Sequence, residues 1–206
     1  MKNIVFDFGG VVFRWEPHEL MLRLLPRHAR DLASAQAMVE AFFEGYRGDW
    51  GNFDRGTITV SELAPRIAQR LGLSLDEVNA IIAAVPGELQ PLAGTVDLLH
   101  RLHAKGHPLF YLSNMPAGYA EHLERSNAFF ERFTDGIFSA RVQLIKPEPE
   151  IFELATKRFG VVPKDTIFID DVLHNVEAAR AHGWQAVHFK DAAQCEAELQ
   201  ALLSSS

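Results

Sequence analysis

The sequence predicts an α/β fold, a doubly wound parallel sheet flanked by helices, with an all-helical segment inserted after the first strand. Three observations carry that expectation. From residue 92 onward, short apolar runs alternate with stretches of helical periodicity. The first apolar run stands apart, ahead of a long stretch with only three- and four-residue apolar spacing. Acidic residues and glycine sit where several runs end.

Residues 3–6, Asn3-Ile4-Val5-Phe6, read as a short buried strand ended by Asp7 and the Gly9-Gly10 pair. From His18 to Val85 the pattern is helical, with apolar residues at helical spacing in 20–25, 32–46, 61–71 and 76–85. Pro17, Pro26 and the stretch from Gly48 to Gly56 punctuate it, and that glycine-rich stretch reads as a loop. Ser74 suits an N-cap, with Glu77 three residues on completing a capping box. After Pro91 come a helix over 92–105, a strand over 108–112, a helix over 117–127 and an apolar run at 136–139. A further helix starts after Lys146-Pro147, since proline suits a first turn. Thr166–Ile169 reads as a second buried strand and 174–182 as a helix stopped by Gly183. Gln185–Phe189 reads as a strand, 192–203 as the closing helix and Ser204–Ser206 as a frayed tail. The expected division is a core of residues 1–16 and 87–206, with a helical cap of residues 17–86 lying over it.

A chain of 206 residues suffices for one α/β domain with a modest insertion. No apolar run approaches the ~20 residues that span a bilayer, so no membrane segment is expected. The first ten residues lack a signal-peptide apolar region and a small-residue cleavage site. Cys195 is the single cysteine, which excludes an internal disulfide and makes a cytoplasmic location the expectation. A net charge of −7 without a basic stripe disfavours nucleic acid. It still permits a small anionic substrate, because local cations or a metal can reverse the field in one pocket. The nine histidines read as scattered core and surface residues.

In an open parallel sheet, ligands bind at the carboxyl ends of the strands. Asp7 follows the first strand, Ser113-Asn114 follow the Leu-Phe-Tyr-Leu strand, and Asp170-Asp171 follow Ile-Phe-Ile. Taken singly, each has a plain structural reading: Asp7 as a turn residue, Ser113 and Asn114 as helix caps, Lys146 as a surface lysine. Their common address favours a shared site. Adjacent carboxylates such as Asp170-Asp171 repel, and a hard divalent cation relieves that through oxygen ligands. Lys146 would supply a point charge for a phosphate or for the Asp7 carboxylate. Ser113 and Asn114 could donate to phosphate oxygens.

Asp7-Phe8-Gly9-Gly10-Val11 resembles motif one of the haloacid dehalogenase (HAD) superfamily. Leu112-Ser113-Asn114 resembles motif two, Lys146-Pro147 motif three, and Ile169-Asp170-Asp171 with Asn175 motif four. The four occur in family order and span nearly the whole chain. The helical insert resembles the small cap of the C1 class in subfamily IA. The phrasing Phe-Asp-Phe-Gly-Gly-Val, with Phe-Asp-Arg-Gly-Thr-Ile later, is similar to bacterial sugar-1-phosphate (alpha-D-glucose-1-phosphate) phosphatases. The resemblance implies a Rossmann-like core and a Mg²⁺-dependent phosphatase acting on a small phosphorylated metabolite, such as a sugar phosphate. It implies that Asp7 attacks phosphorus and forms an aspartyl-phosphate. Asp7, the Gly9 carbonyl and Asp171 would bind Mg²⁺ with Asp170 beside them, while Ser113, the Asn114 backbone and Lys146 would hold the phosphoryl group.

The pattern departs at Gly9, where most phosphatases of the family carry a second Asp as general acid and base. Three readings stand. The leaving group needs little protonation, as with a sugar released from its anomeric phosphate. Alternatively, Glu16, His18, Asp49 or Asp54 supplies the proton. Or the reaction is that of a 2-haloacid dehalogenase, which also lacks the second Asp. Dehalogenases of the family need no metal and resemble a serine-containing motif four, so the Asp170-Asp171 pair favours a phosphatase. A phosphotransferase and a non-catalytic binding protein complete the alternatives. In the segment from Tyr46 to Arg55, Trp50 could stack on a sugar ring, Arg55 could take an extra anion, and Trp50 and Phe53 could equally close the cap's own core. Trp15 and Glu16 lie near the hinge.

Overall fold

In the computed structural model, which describes residues 1–204, five strands form one sheet with every neighbouring pair parallel. They are β1 (Asn3–Phe6), β2 (Leu109–Ser113), β3 (Asp135–Phe138), β4 (Thr166–Asp170) and β5 (Gln185–His188), in the spatial order β3-β2-β1-β4-β5. β2 and β4 are buried along their whole length, which is why they read as unbroken apolar runs rather than alternating ones. The chain runs outward from β1 to β3 on one side and returns to β4 and β5 on the other. That reversal makes a crevice at the carboxyl ends beside β1. The register sets Phe6 level with Tyr111 and Ile169, so the residues that follow all three strands emerge at one edge.

Between β1 and the next strand lie α1 (Pro17–Leu24), α2 (Leu32–Phe43), α3 (Gly48–Asp54), α4 (Val60–Leu71), α5 (Leu75–Glu88) and α6 (Ala93–Ala104). Then follow α7 (Ala117–Ser126), α8 (Ser139–Val142), α9 (Pro149–Phe159), α10 (Leu173–Ala181) and α11 (Ala192–Ser204). Three helix starts carry reciprocal capping boxes: Asp31 with Ser34, Thr59 with Glu62, and the expected Ser74 with Glu77. The stretch from Gly48 to Gly56, expected as a loop, is mostly helix. The Glu44 carboxylate accepts from the Asp49 N–H (3.0 Å) and so satisfies a first-turn donor that glycine-rich sequence does not advertise. At the other end of the chain, Ser204 closes α11 and its hydroxyl donates to the Gln200 carbonyl (2.8 Å). Ser205 and Ser206 of the expected tail lie outside the described residues.

Side chains alternate across the sheet, so its two faces hold separate apolar clusters. On one face Ile4, Phe6 and Phe8 join Leu20, Phe42, Ile67 and Ile81 of the inserted helices in one continuous core. On the other, Val5, Phe110 and Phe168 pack with Phe152 of α9 and Val176 of α10. Phe8 anchors the turn after β1, stacked on Tyr111 (centroids 4.8 Å) and edge-on to Phe13 (5.4 Å) and Phe130 (5.2 Å). The first strand and its turn are therefore locked before any polar group at its end is considered.

Candidate active site

Asp7 extends the β1 ladder by one residue, its N–H donating to the Ile169 carbonyl (2.9 Å). The Phe8 carbonyl then accepts from the N–H groups of Val12 (2.9 Å) and Phe13 (2.8 Å), which turns the chain sharply. Gly10 sits in this turn with φ +76°, and a Cβ there would fall 2.3 Å from Asp171 Oδ2. Only glycine lets the backbone pass so close to that carboxylate. At Gly9, by contrast, a Cβ would meet no atom within 4 Å.

Lys146 is 3% exposed. Its Nζ lies 2.8 Å from Asp7 Oδ1 and 2.6 Å from Asp170 Oδ2, an ammonium held between two carboxylates. Asn114 fixes the lysine from behind. Its Nδ2 donates to the Lys146 carbonyl (2.9 Å) and its Oδ1 accepts from the Lys146 N–H (2.8 Å). The Asn114 side chain is thus a clamp, and only its backbone is left for a ligand. Asp170 is wholly buried and also accepts from the Val172 N–H (2.8 Å) and from Asn175 Nδ2 (3.1 Å to each oxygen). So saturated, Asp170 positions Lys146. Asp171, partly exposed, is the more open carboxylate of the pair, and His188 Nε2 donates to its backbone carbonyl (2.9 Å).

Oxygens of Asp7, Asp170 and Asp171 lie within 4.8 Å of one another. Three carboxylates face one ammonium, and the electrostatics show the excess. Burial first, then Asp170 and Asp171 against the opposing pull of Lys146, push Asp7 up to about 8. Burial and the Asp170 charge push Asp171 up to about 6. Burial alone would lower the Lys146 ammonium, but Asp170 and Asp7 outweigh it and hold the ammonium above its ordinary value.

Asp7, Gly9, Ser113, Asn114, Lys146 and Asp171 share one cavity of about 190 Å³. The four proton-donor candidates separate sharply. Asp54, at the end of α3 and 5% exposed, lines this cavity. Burial first, and the nearby Asp7 charge, hold its carboxyl well above the usual range, although a hydrogen bond from Trp50 pulls the other way. Asp49 faces away, paired with Arg66 (3.1 Å) and Arg70 (3.0 Å). Glu16 lies beside His18 (3.5 Å) and lines a different surface groove. Trp50 borders the cavity while its ring packs edge-on against Phe43 (4.5 Å) and Phe53 (5.5 Å), so it closes the cap's own core and also lines the cavity.

Phe53 and Arg55 are not brought to the cavity. Phe53 is buried against Trp50 and Tyr119. The Arg55 guanidinium is spent on a two-pronged pair with Glu148 and a bond to the Gln143 carbonyl (3.2 Å), so it is not free for a substrate anion. Sequence reasoning did not single out Val85, Leu89, Met115, Tyr119 and Ile145, which also line the cavity. The only signal for Val85 was its place in the apolar stripe of α5, which reads as core.

The family model of the haloacid dehalogenase-like hydrolases matches residues 1–183. The sesquiterpene phosphatase astK of Aspergillus oryzae is 28% identical over 204 residues, covering 98% of this chain and 96% of that protein. An (S)-2-haloacid dehalogenase of Pseudomonas putida is 31% identical over 194 residues, 89% of this chain and 83% of that protein. A crystal structure of a HAD family enzyme from Bacteroides thetaiotaomicron, in complex with magnesium and inorganic phosphate, superposes with a TM-score of 0.71. It covers 92% of this chain and 94% of that one at 24% identity, so the likeness concerns the fold.

The carboxylate excess has a measurable consequence. Asp7 and Asp171 rise from the ordinary 3.8 to about 8 and about 6, so the folded chain binds more protons than the unfolded one across that range. Stability of the cation-free protein then falls as pH climbs from about 4 to about 8. Asp7→Asn removes the penalised charge and should raise the melting temperature more at pH 8 than at pH 5, by calorimetry in EDTA. An equal shift at both pH values contradicts the electrostatic account.

Proposed function

This chain belongs to the haloacid dehalogenase-like hydrolases, and on that footing we propose that it is a Mg²⁺-dependent phosphatase of small phosphate monoesters. The observation that carries the reading is the Lys146 ammonium seated between Asp7 and Asp170, with Asp171 beside them, at one cavity. The sesquiterpene phosphatase relative, aligned over nearly the whole chain, supports it.

The carboxylate trio fits a hard divalent cation: the donors are all oxygens, and burial first, then their mutual repulsion, raise the carboxyls of Asp7 and Asp171. Asn175 Oδ1, also on the cavity, is a buried acceptor without a donor, which a hydrated ion can satisfy. Asp7, Asp171 and the Gly9 carbonyl would hold Mg²⁺, with Asp170 alongside. When bound, it supplies positive charge that favours ionised Asp7 and offsets the phosphoryl oxygens.

The chain's own groups do the rest. Asp7 attacks phosphorus, the ester P–O bond breaks, and an aspartyl-phosphate forms as the alcohol departs. Water then attacks that phosphorus and returns free Asp7 with inorganic phosphate. Lys146, the Ser113 hydroxyl and the Asn114 N–H steady the transferring group throughout. Asp54, whose carboxyl burial raises, gives its proton to the departing alkoxide and takes one back from the attacking water, replacing the acid missing at Gly9. Residues 17–86 act as a cap, since α3 carries Asp54 and Trp50 over the strand ends.

A second reading, a 2-haloacid dehalogenase, is favoured by Gly9 and by the Pseudomonas putida relative. One assay separates the two. Phosphate release from a panel of phosphorylated metabolites should require Mg²⁺, stop in EDTA, and fall by at least about 10³-fold in Asp7→Asn. Chloride release from 2-chloropropionate without metal, and no phosphate release, would replace the phosphatase reading with the dehalogenase one.

The role of Asp54 predicts a leaving-group dependence. Asp54→Asn should slow esters of ordinary alcohols by ~10²–10⁴-fold and leave p-nitrophenyl phosphate, whose leaving group needs no proton, far less affected. Because a side chain at Gly9 meets open space, Gly9→Asp in the Asp54→Asn background should recover part of the loss. Equal losses on both esters would remove Asp54 from the proton path.

A further inference from the structure

The cavity over Asp7 is lined by two unlike groups of residues. Asp7, Asp54, Ser113, Lys146 and Asn175 are among the polar ones. The apolar wall is Trp50 of α3, Val85 of α5, Leu89 just after α5, Met115 just before α7, Tyr119 of α7 and Ile145 beside Lys146.

The polar tips of this wall are already taken inside the protein. The Tyr119 hydroxyl donates to the buried Ile82 carbonyl (2.7 Å). The Trp50 N–H is engaged by the Asp54 carboxyl. Trp15, at the cavity's edge, gives its N–H to the Tyr46 hydroxyl (2.7 Å). What the wall presents to a ligand is ring and aliphatic carbon. Arg47, which also lines the cavity, is exposed to solvent. Against this wall a sugar or polyol would bury several hydroxyls where only Asp54 and Asn175 of the same cavity offer further polar groups, and each unmade hydrogen bond counts against binding. A hydrocarbon loses nothing by the same burial and gains from shedding water.

We propose that the alcohol released is apolar, so that the substrate class is monophosphate esters of hydrocarbon alcohols, aliphatic or terpenoid in type, rather than sugar or polyol phosphates. The inference rests on the phosphatase reading and narrows it. It also bears on the missing acid: an alkyl alcohol is a poor leaving group that needs a proton, which suits a cavity lined by the buried Asp54 carboxyl.

The test is phosphate release by the 206-residue chain with Mg²⁺ on two matched sets. One set is dimethylallyl, geranyl and farnesyl monophosphate. The other is glucose 1-phosphate, glucose 6-phosphate and ribitol 5-phosphate. The best apolar ester should exceed the best polyol ester in kcat/KM by roughly tenfold or more, about 1.4 kcal/mol, carried mainly by KM. Val85→Thr, which keeps the shape and adds a hydroxyl, should narrow that ratio. Phosphate release that favours the polyol set, or treats the sets equally, overturns the inference and leaves the phosphatase reading standing. Release from no ester of either set overturns the phosphatase reading, and the inference with it.

Discussion

A buried ammonium between two carboxylates is the constraint on which the rest depends. Lys146 could not be taken out of water alone; an unpaired charge in such a place costs several kcal/mol even after relaxation. Asp7 at 2.8 Å and Asp170 at 2.6 Å make its burial tolerable. Yet the compensation overshoots. With Asp171 added, the strand ends carry three carboxylates against one ammonium, and the raised Asp7 and Asp171 carboxyls register burial first and that surplus second. A site in that condition gains from a further positive charge, and an anionic phosphoryl group gains from entering beside it.

Much of the fold serves to hold that ammonium still. The parallel register brings the ends of β1, β2 and β4 to one edge. Asn114, at the end of β2, grips the Lys146 backbone from 32 residues away with two hydrogen bonds. Asp170 is fixed by the Val172 N–H and by Asn175, so it cannot swing toward another partner without losing several bonds. Gly10 lets the turn after β1 pass against Asp171. Each of these is a local choice of residue type, and together they confine the reacting groups to one arrangement, as positioning-dependent chemistry requires.

Strands were legible because buried parallel strands are continuous apolar runs, and the site residues because they stop those runs at the carboxyl end. The ordered motifs then identified the family. α3 was not legible: its glycines argue for a loop, and the cap that stabilises it comes from the Glu44 side chain. Nor could sequence choose among Glu16, His18, Asp49 and Asp54, all able to carry a proton and told apart by burial and orientation. Arg55 looked available to an anion because its partner, Glu148, lies 93 residues on. The hydrocarbon wall was hidden for a related reason. Val85 and Leu89 fit a core stripe, and whether such a residue faces a neighbour or a cavity is decided by how helices pack, which no period in the sequence records.

The central claim is that one phosphoryl cradle is shared by Asp7, Lys146 and a cation on Asp171. A crystal structure grown with Mg²⁺ and beryllium fluoride tests it most directly. The account predicts trifluoroberyllate on an Asp7 oxygen, a magnesium ion contacted by Asp7, Asp171 and the Gly9 carbonyl, and Lys146 still seated on Asp170 with its ammonium toward a fluorine. A fluoride adduct elsewhere, no ion beside Asp171, or a lysine turned away from both carboxylates would contradict it.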